Sequence, residues 1–116
     1  ICAGAILMAK KVANPNQESL KVFNIEAVRN AYGRQSESFE TSLLATSDFP
    51  QTEAVFIRAP HLNPIATSVK TLLKHDDRPV LLEEGIHLVS SFHPELTDSK
   101  VIHEYFLKKC RNKSHE

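Results

Sequence analysis

Between Val69 and Val89 three short apolar runs, Val69 to Leu73, Val80 to Leu82 and Ile86 to Val89, are broken by His75-Asp76-Asp77-Arg78-Pro79 and by Glu83-Glu84-Gly85. Runs this short, set between turn-forming residues, suit strands joined by tight hairpins. The expected unit is an antiparallel meander. Its last strand delivers the segment Ser90-Ser91-Phe92-His93-Pro94-Glu95-Leu96-Thr97 to the end of a rigid sheet, a place from which side chains can face a cleft.

Within that segment an imidazole and a carboxylate lie two residues apart. In an extended chain residues i and i+2 point to the same side, so Glu95 can reach one ring nitrogen of His93 while the other faces a nucleophile. Such a pair is the rear half of a catalytic triad, and the candidate for the front half is Cys2 in Cys2-Ala3-Gly4. The run Ala5-Ile6-Leu7-Met8-Ala9-Lys10-Lys11 behind it reads as a helix, whose first N–H groups and dipole favour a thiolate. Singly, these residues have plainer readings: Cys2 as a structural thiol among small neighbours, His-Pro-Glu as a solvated turn after a strand.

Four segments together carry a resemblance. Cys2-Ala3-Gly4 is similar to the end of a Gly-Thr-Cys-Ala-Gly nucleophile elbow. Arg29 to Gln35 reads Arg-Asn-Ala-Tyr-Gly-Arg-Gln, Phe56 to Pro60 reads Phe-Ile-Arg-Ala-Pro, and Ser91 to Thr97 reads Ser-Phe-His-Pro-Glu-Leu-Thr. In these motifs the chain resembles the class I glutamine amidotransferases, and among them the family of glutaminase subunits of pyridoxal 5'-phosphate synthase. The His-Pro-Glu element is shared by many amidotransferases of the class, whereas the second and third segments resemble the vitamin B6 family in particular.

That resemblance implies a three-layer α/β fold of the flavodoxin-like kind with a mostly parallel central sheet. The expected organisation is a single glutamine amidotransferase domain over residues 1–116 that lacks its N-terminal part, since the family carries a long portion before its cysteine, including a Gly-Gly-Glu-Ser-type segment, and this chain has Ile1 there. The implied reaction is hydrolysis of L-glutamine to L-glutamate and ammonia by Cys2, His93 and Glu95, with the N–H of Ala3 holding the oxyanion. Arg29, Ile57 and Arg58 are the implied glutamine contacts, a guanidinium suiting a carboxylate through paired hydrogen bonds. The implied partner is the synthase subunit, a barrel enzyme that receives the ammonia. No cofactor is implied. Arg34 and Gln35 stay open between a structural and a partner-facing role, and Arg29 and Arg58 taken alone are ordinary surface arginines. Two alternatives stand beside this reading: an inactive fragment that at most binds a partner, and a glutaminase of another class I amidotransferase serving histidine or nucleotide synthesis.

Composition narrows the rest. With 14 basic and 14 acidic residues among 116, the formal charge is zero, which provides no field for nucleic acid or an acidic membrane surface. The longest apolar stretch, Cys2 to Ala9, is well short of the roughly 20 residues that span a bilayer. Cys2 and Cys110 form neither a zinc pattern nor a disulfide framework, and a reducing cytoplasm is the expected setting. His61, His75, His87, His103 and His115 lack metal-ligand spacing. Elsewhere strands are expected over Leu20 to Val28, Ser38 to Leu44 and Glu53 to Arg58, a loop over Ala13 to Ser19, and a C-terminal helix with Val101, Ile102, Tyr105 and Phe106 on its apolar face.

Overall fold

In a computed structural model of the chain, the residues described are 9–13, 20–21, 23–28, 38–46, 49–57, 59–97 and 100–114. The strands are β1 (Ala9–Ala13), β2 (Phe23–Val28), β3 (Ser38–Leu43), β4 (Thr52–Ile57), β5 (His61–Pro64), β6 (Lys70–His75), β7 (Arg78–Glu84) and β8 (His87–Ser90). A 3-10 turn, Pro94–Leu96, and the helix α1 (Val101–Ser114) follow. Strands β1, β2 and β5 form one sheet in that order, β3 and β4 a hairpin, and β6, β7 and β8 a second three-stranded sheet.

The meander forms where its turn chemistry dictates. Asp76 and Asp77 both take positive φ, 50° and 63°, between the paired residues His75 and Arg78, as a two-residue type I′ hairpin loop requires. In the next loop, between paired Glu84 and His87, Gly85 takes φ 60° at the first central position, where its missing Cβ removes the strain. Strand alternation places the remaining cores. Along β2, Phe23, Ile25 and Ala27 are buried while Asn24, Glu26 and Val28 are half-buried; along β4, Thr52, Ala54 and Phe56 are buried and Glu53 and Ile57 are exposed.

Two apolar clusters result. Phe23, Ile25, Ala27, Leu62, Leu82 and Val89 form one. The larger joins Phe56, Leu73, Leu81 and Phe92 to Ile102 of the helix, with Val101 and Tyr105 packed against it. Strand β7 therefore serves both, through Leu81 and Leu82. The expected apolar face of the C-terminal helix is correct for Val101, Ile102 and Tyr105, whereas Phe106 is exposed.

Two expectations need correction. Ala9, Lys10 and Lys11, read as the end of a helix, lie in β1, which pairs in parallel with β2 through Lys11 and Glu26, Val12 and Ala27, Ala13 and Val28. Sheet pairing wins here over the helix preference of Ala and Lys, a preference worth less than about 1 kcal/mol per residue. Ala13, read as loop, closes the same strand, and the remainder of that loop, 14–19, lies outside the described residues. The parallel part of the expected sheet is represented among the described residues by β1 with β2, the other pairings being antiparallel. Two-residue loops can join only antiparallel neighbours, since a parallel pair needs a long crossover.

Candidate active site

Leaving β8, the chain is held to two different strands within three residues. The N–H of Ser91 donates to the carbonyl of Val80 on β7 at 3.0 Å, and the N–H of His93 donates to the carbonyl of Val55 on β4 at 2.8 Å. Between them Phe92 is fully buried against Phe56, their ring centroids 5.8 Å apart, and the buried Ser90 hydroxyl donates to the Phe92 carbonyl at 2.8 Å. His93 is thus delivered by a backbone with little freedom.

Proline then sets the local geometry. A residue before proline is kept out of the helical region, and His93 has φ −109° and ψ 89°. Pro94, with its φ pre-set, opens the 3-10 turn in which the N–H of Leu96 donates to the His93 carbonyl at 3.1 Å. The turn swings Glu95 back beside the imidazole, and His93 Nδ1 lies 2.9 Å from Glu95 Oε2. A carboxylate only accepts, so Nδ1–H is the donor and the ring tautomer is set by Glu95. The contact expected of this pair is present, but by way of a 3-10 turn and not an extended segment.

The electrostatics suit the pairing. Partial desolvation acts to raise the Glu95 carboxyl, but its hydrogen bond with His93, its own backbone N–H and the imidazole charge outweigh that and hold it below the usual carboxylate range. The His93 side chain is 20% exposed and that of Glu95 43%, so the dyad sits at a surface with the imidazole on the inner side.

Among the described residues, the turn contributes to two clefts. Leu96 and Thr97, with Glu40, Glu53, Ala54 and Val55, line a polar cleft of about 240 Å³, and the lining residue Glu53 accepts from the Ser42 hydroxyl at 2.6 Å. Pro94 helps to line an apolar cleft of about 260 Å³ between the meander and α1. Ile57 lies on β4 two residues beyond Val55, on the same side of the strand, and is 40% exposed. Of the expected site residues, His93 and Glu95 are brought into contact and Ile57 stands on the strand that anchors them. Cys2, Ala3, Arg29 and Arg58 lie outside the described residues, as do Arg34 and Gln35. The roles of Val55, Ser90 and Thr97 around the dyad were missed from sequence; a proline directly after the histidine was the available signal for a turn at that point. Among the described residues no three His, Cys, Asp or Glu side chains converge as metal ligands would, and no helix is long and apolar enough to cross a membrane.

Comparison with known proteins gives the chain its family. The chain is 49% identical over 114 residues to the pyridoxal 5'-phosphate synthase subunit PdxT of Dictyoglomus turgidum, covering 94% of this chain and 58% of the relative. It is 50% identical over 115 residues to the PdxT subunit of Kosmotoga olearia, covering 97% and 59%. A solved structure described as a glutamine amidotransferase superposes with a TM-score of 0.84 at 44% identity, covering 93% of this chain and 57% of that one, which establishes the expected α/β amidotransferase fold. The chain spans somewhat under three-fifths of the length of the curated relatives it matches. With the glutamine amidotransferase profile named SNO matched over residues 1–112, the chain belongs to the SNO glutamine amidotransferase family.

Proposed function

We propose that this chain is the larger part of a glutaminase subunit that hydrolyses L-glutamine to L-glutamate and ammonia, the ammonia passing to a synthase subunit that builds pyridoxal 5'-phosphate. The observation that carries the reading is the 2.9 Å contact between His93 Nδ1 and Glu95 Oε2 just beyond the buried end of β8, in a chain of an amidotransferase family. Near 50% identity to relatives named as pyridoxal 5'-phosphate synthase subunits supports that product over histidine or nucleotide synthesis. All 116 residues are assigned to one amidotransferase domain, in the cytoplasm, with the synthase subunit as partner and no resident cofactor.

In this reading the Cys2 thiolate attacks the glutamine carboxamide carbon. The carbon–nitrogen bond breaks as imidazolium at His93 protonates the departing ammonia, and a thioester remains on Cys2. His93 Nε2 then takes a proton from water, which attacks the thioester; glutamate leaves and the thiolate returns. Glu95 keeps Nδ1 protonated throughout and stabilises the imidazolium, as the third member of such triads does. The N–H of Ala3 holds the oxyanion, and Arg29, Ile57 and Arg58 hold the glutamine.

The test is glutamate release from glutamine, by the chain alone and mixed with the synthase subunit, with Cys2→Ala as control. Release that depends on Cys2 and rises with the partner is the expected result. Absence of release from both this chain and an N-terminally extended version, each folded, would overturn the reading.

A further inference from the structure

We propose that the Thr97 hydroxyl is a positioning group for the His93 and Glu95 pair, acting by closing the turn that carries Glu95. The inference rests on the glutaminase reading above. Its basis is an asymmetry in how the two members of the pair are held.

His93 is fixed from upstream by buried bonds: Ser91 N–H to Val80, His93 N–H to Val55 and Ser90 Oγ to the Phe92 carbonyl, with Phe92 itself fully buried. The Glu95 side chain is held only at its tip, by the His93 ring and by its own backbone N–H, as far as the described residues go. It is 43% exposed, and a long carboxylate side chain in that setting gains rotamer entropy and hydration by swinging into water. What keeps those bonds within reach is the path of the backbone beneath them. Downstream that path is closed by three bonds: Leu96 N–H to the His93 carbonyl at 3.1 Å, Thr97 N–H to the Pro94 carbonyl at 3.3 Å, and Thr97 Oγ1 to the same carbonyl at 3.1 Å. Thr97 therefore supplies two of the three, and its hydroxyl bond is shorter than its amide bond. The 3-10 segment is only three residues long and ends at Thr97, which returns to extended backbone at φ −121° and ψ 164°. A turn so short has no helical continuation to keep it closed. Loss of the hydroxyl bond loosens the turn and lets Glu95 depart from the imidazole without disturbing the anchoring of His93.

The prediction is a defect in turnover with little effect on substrate affinity. The full-length protein with its synthase subunit is assayed for glutamine hydrolysis as wild type, Thr97→Val, Thr97→Ser, Glu95→Gln and the Glu95→Gln/Thr97→Val double variant. Expected are a loss of about three- to tenfold in kcat for Thr97→Val, in keeping with one orienting hydrogen bond, a KM within about twofold of wild type, and recovery in Thr97→Ser. In the Glu95→Gln background Thr97→Val should cost nothing further, because a group that acts through Glu95 has nothing left to position. A flat Thr97→Val, an additive loss in the double variant, or a Thr97→Ser as impaired as Thr97→Val overturns the inference. If the valine methyl prevents folding, Thr97→Ala runs through the same cycle under the same criteria. The two readings fail differently: wild type folded yet inactive removes the glutaminase assignment and this inference with it, whereas an active wild type, an inactive His93→Asn and a flat Thr97→Val remove this inference only.

Discussion

Glu83 and Glu84 are neighbours on β7 whose carboxylates bond to different parts of the molecule. Glu83 Oε2 accepts from the Tyr105 hydroxyl at 2.7 Å and lies 2.8 Å from Lys109 Nζ, both on α1. Glu84 accepts from the backbone and side chain of Asn24 on β2, at 2.9 and 2.6 Å, and from the Ser68 hydroxyl. Successive strand residues face opposite ways, so one dipeptide ties the central strand to the helix on one side and to the other sheet on the other. Strand β7 also holds Ser91, through the carbonyl of Val80 three residues before Glu83, so the strand bearing these ties also anchors the segment that carries His93.

Removing the Glu83 charge should be costly. Its side chain is 14% exposed and that of Lys109 19%, so the pair is largely withdrawn from water, and Glu83→Gln leaves an ammonium without its counter-charge. A loss of about 1–3 kcal/mol is expected, read as a lower urea midpoint at unchanged slope. Tyr105→Phe should cost about 1 kcal/mol and combine non-additively with Glu83→Gln, since one removes and the other weakens the same bond.

Acid should destabilise the fold through the same strand. Desolvation acts to raise Glu83, but the bonds and charge of Lys109, the Tyr105 hydroxyl and the charge of Lys70 outweigh it; Glu84 is held down chiefly by Asn24 and Ser68. Both carboxyls are lowered from 4.5, so their contribution is complete above that value and is lost as pH falls through the folded-state values below it. His61 adds to this at higher pH. Burial, and then the charge of Arg78, lower its value from 6.5, so below 6.5 the unfolded chain binds a proton that the folded chain does not. Urea unfolding at pH 7, 5.5 and 4 should show stability falling at each step, with His61→Gln flattening the first step and Glu84→Gln the last.

At the candidate site, His93→Asn should reduce glutamine turnover by at least about a thousandfold, because the variant removes the imidazole that the glutaminase reading assigns to both proton transfers. Glu95→Gln should cost less, about ten- to a hundredfold, since the half-exposed carboxylate stabilises the imidazolium in competition with water. Steady-state kinetics on the full-length protein, with melting curves to establish folding, check both.

The first hairpin has room for improvement. Asp76 and Asp77 both occupy the left-handed region, and the Asp-Gly pair is the better fit to a type I′ loop. Asp77→Gly should stabilise the chain by about 0.5 kcal/mol, the relief of backbone strain exceeding the added entropy of the unfolded chain. A lowered melting temperature would refute the turn assignment.

Much of the fold was legible in residue order because its determinants are local. The hairpins at Asp76-Asp77 and Gly85 follow from turn chemistry, and the faces of β2 and β4 follow from strict alternation. The meeting of His93 with Glu95 was equally readable, since two residues of separation leave few ways to part them. The route was not: extended spacing and a 3-10 turn both bring i and i+2 together, and Pro94 selects the turn.

What residue order could not supply were choices made between distant segments. Ala9 to Lys11 has a helical composition and becomes a strand because β2 offers a ladder to pair with. The clamp of Asn24 on Glu84 spans 60 residues, and nothing near either residue announces the other. The same holds for Val55, whose carbonyl seats His93. Backbone carbonyls are alike in every residue, so a sequence marks none of them as an anchor; packing of Phe56 against Phe92 brings this one within reach, and the position of the imidazole follows.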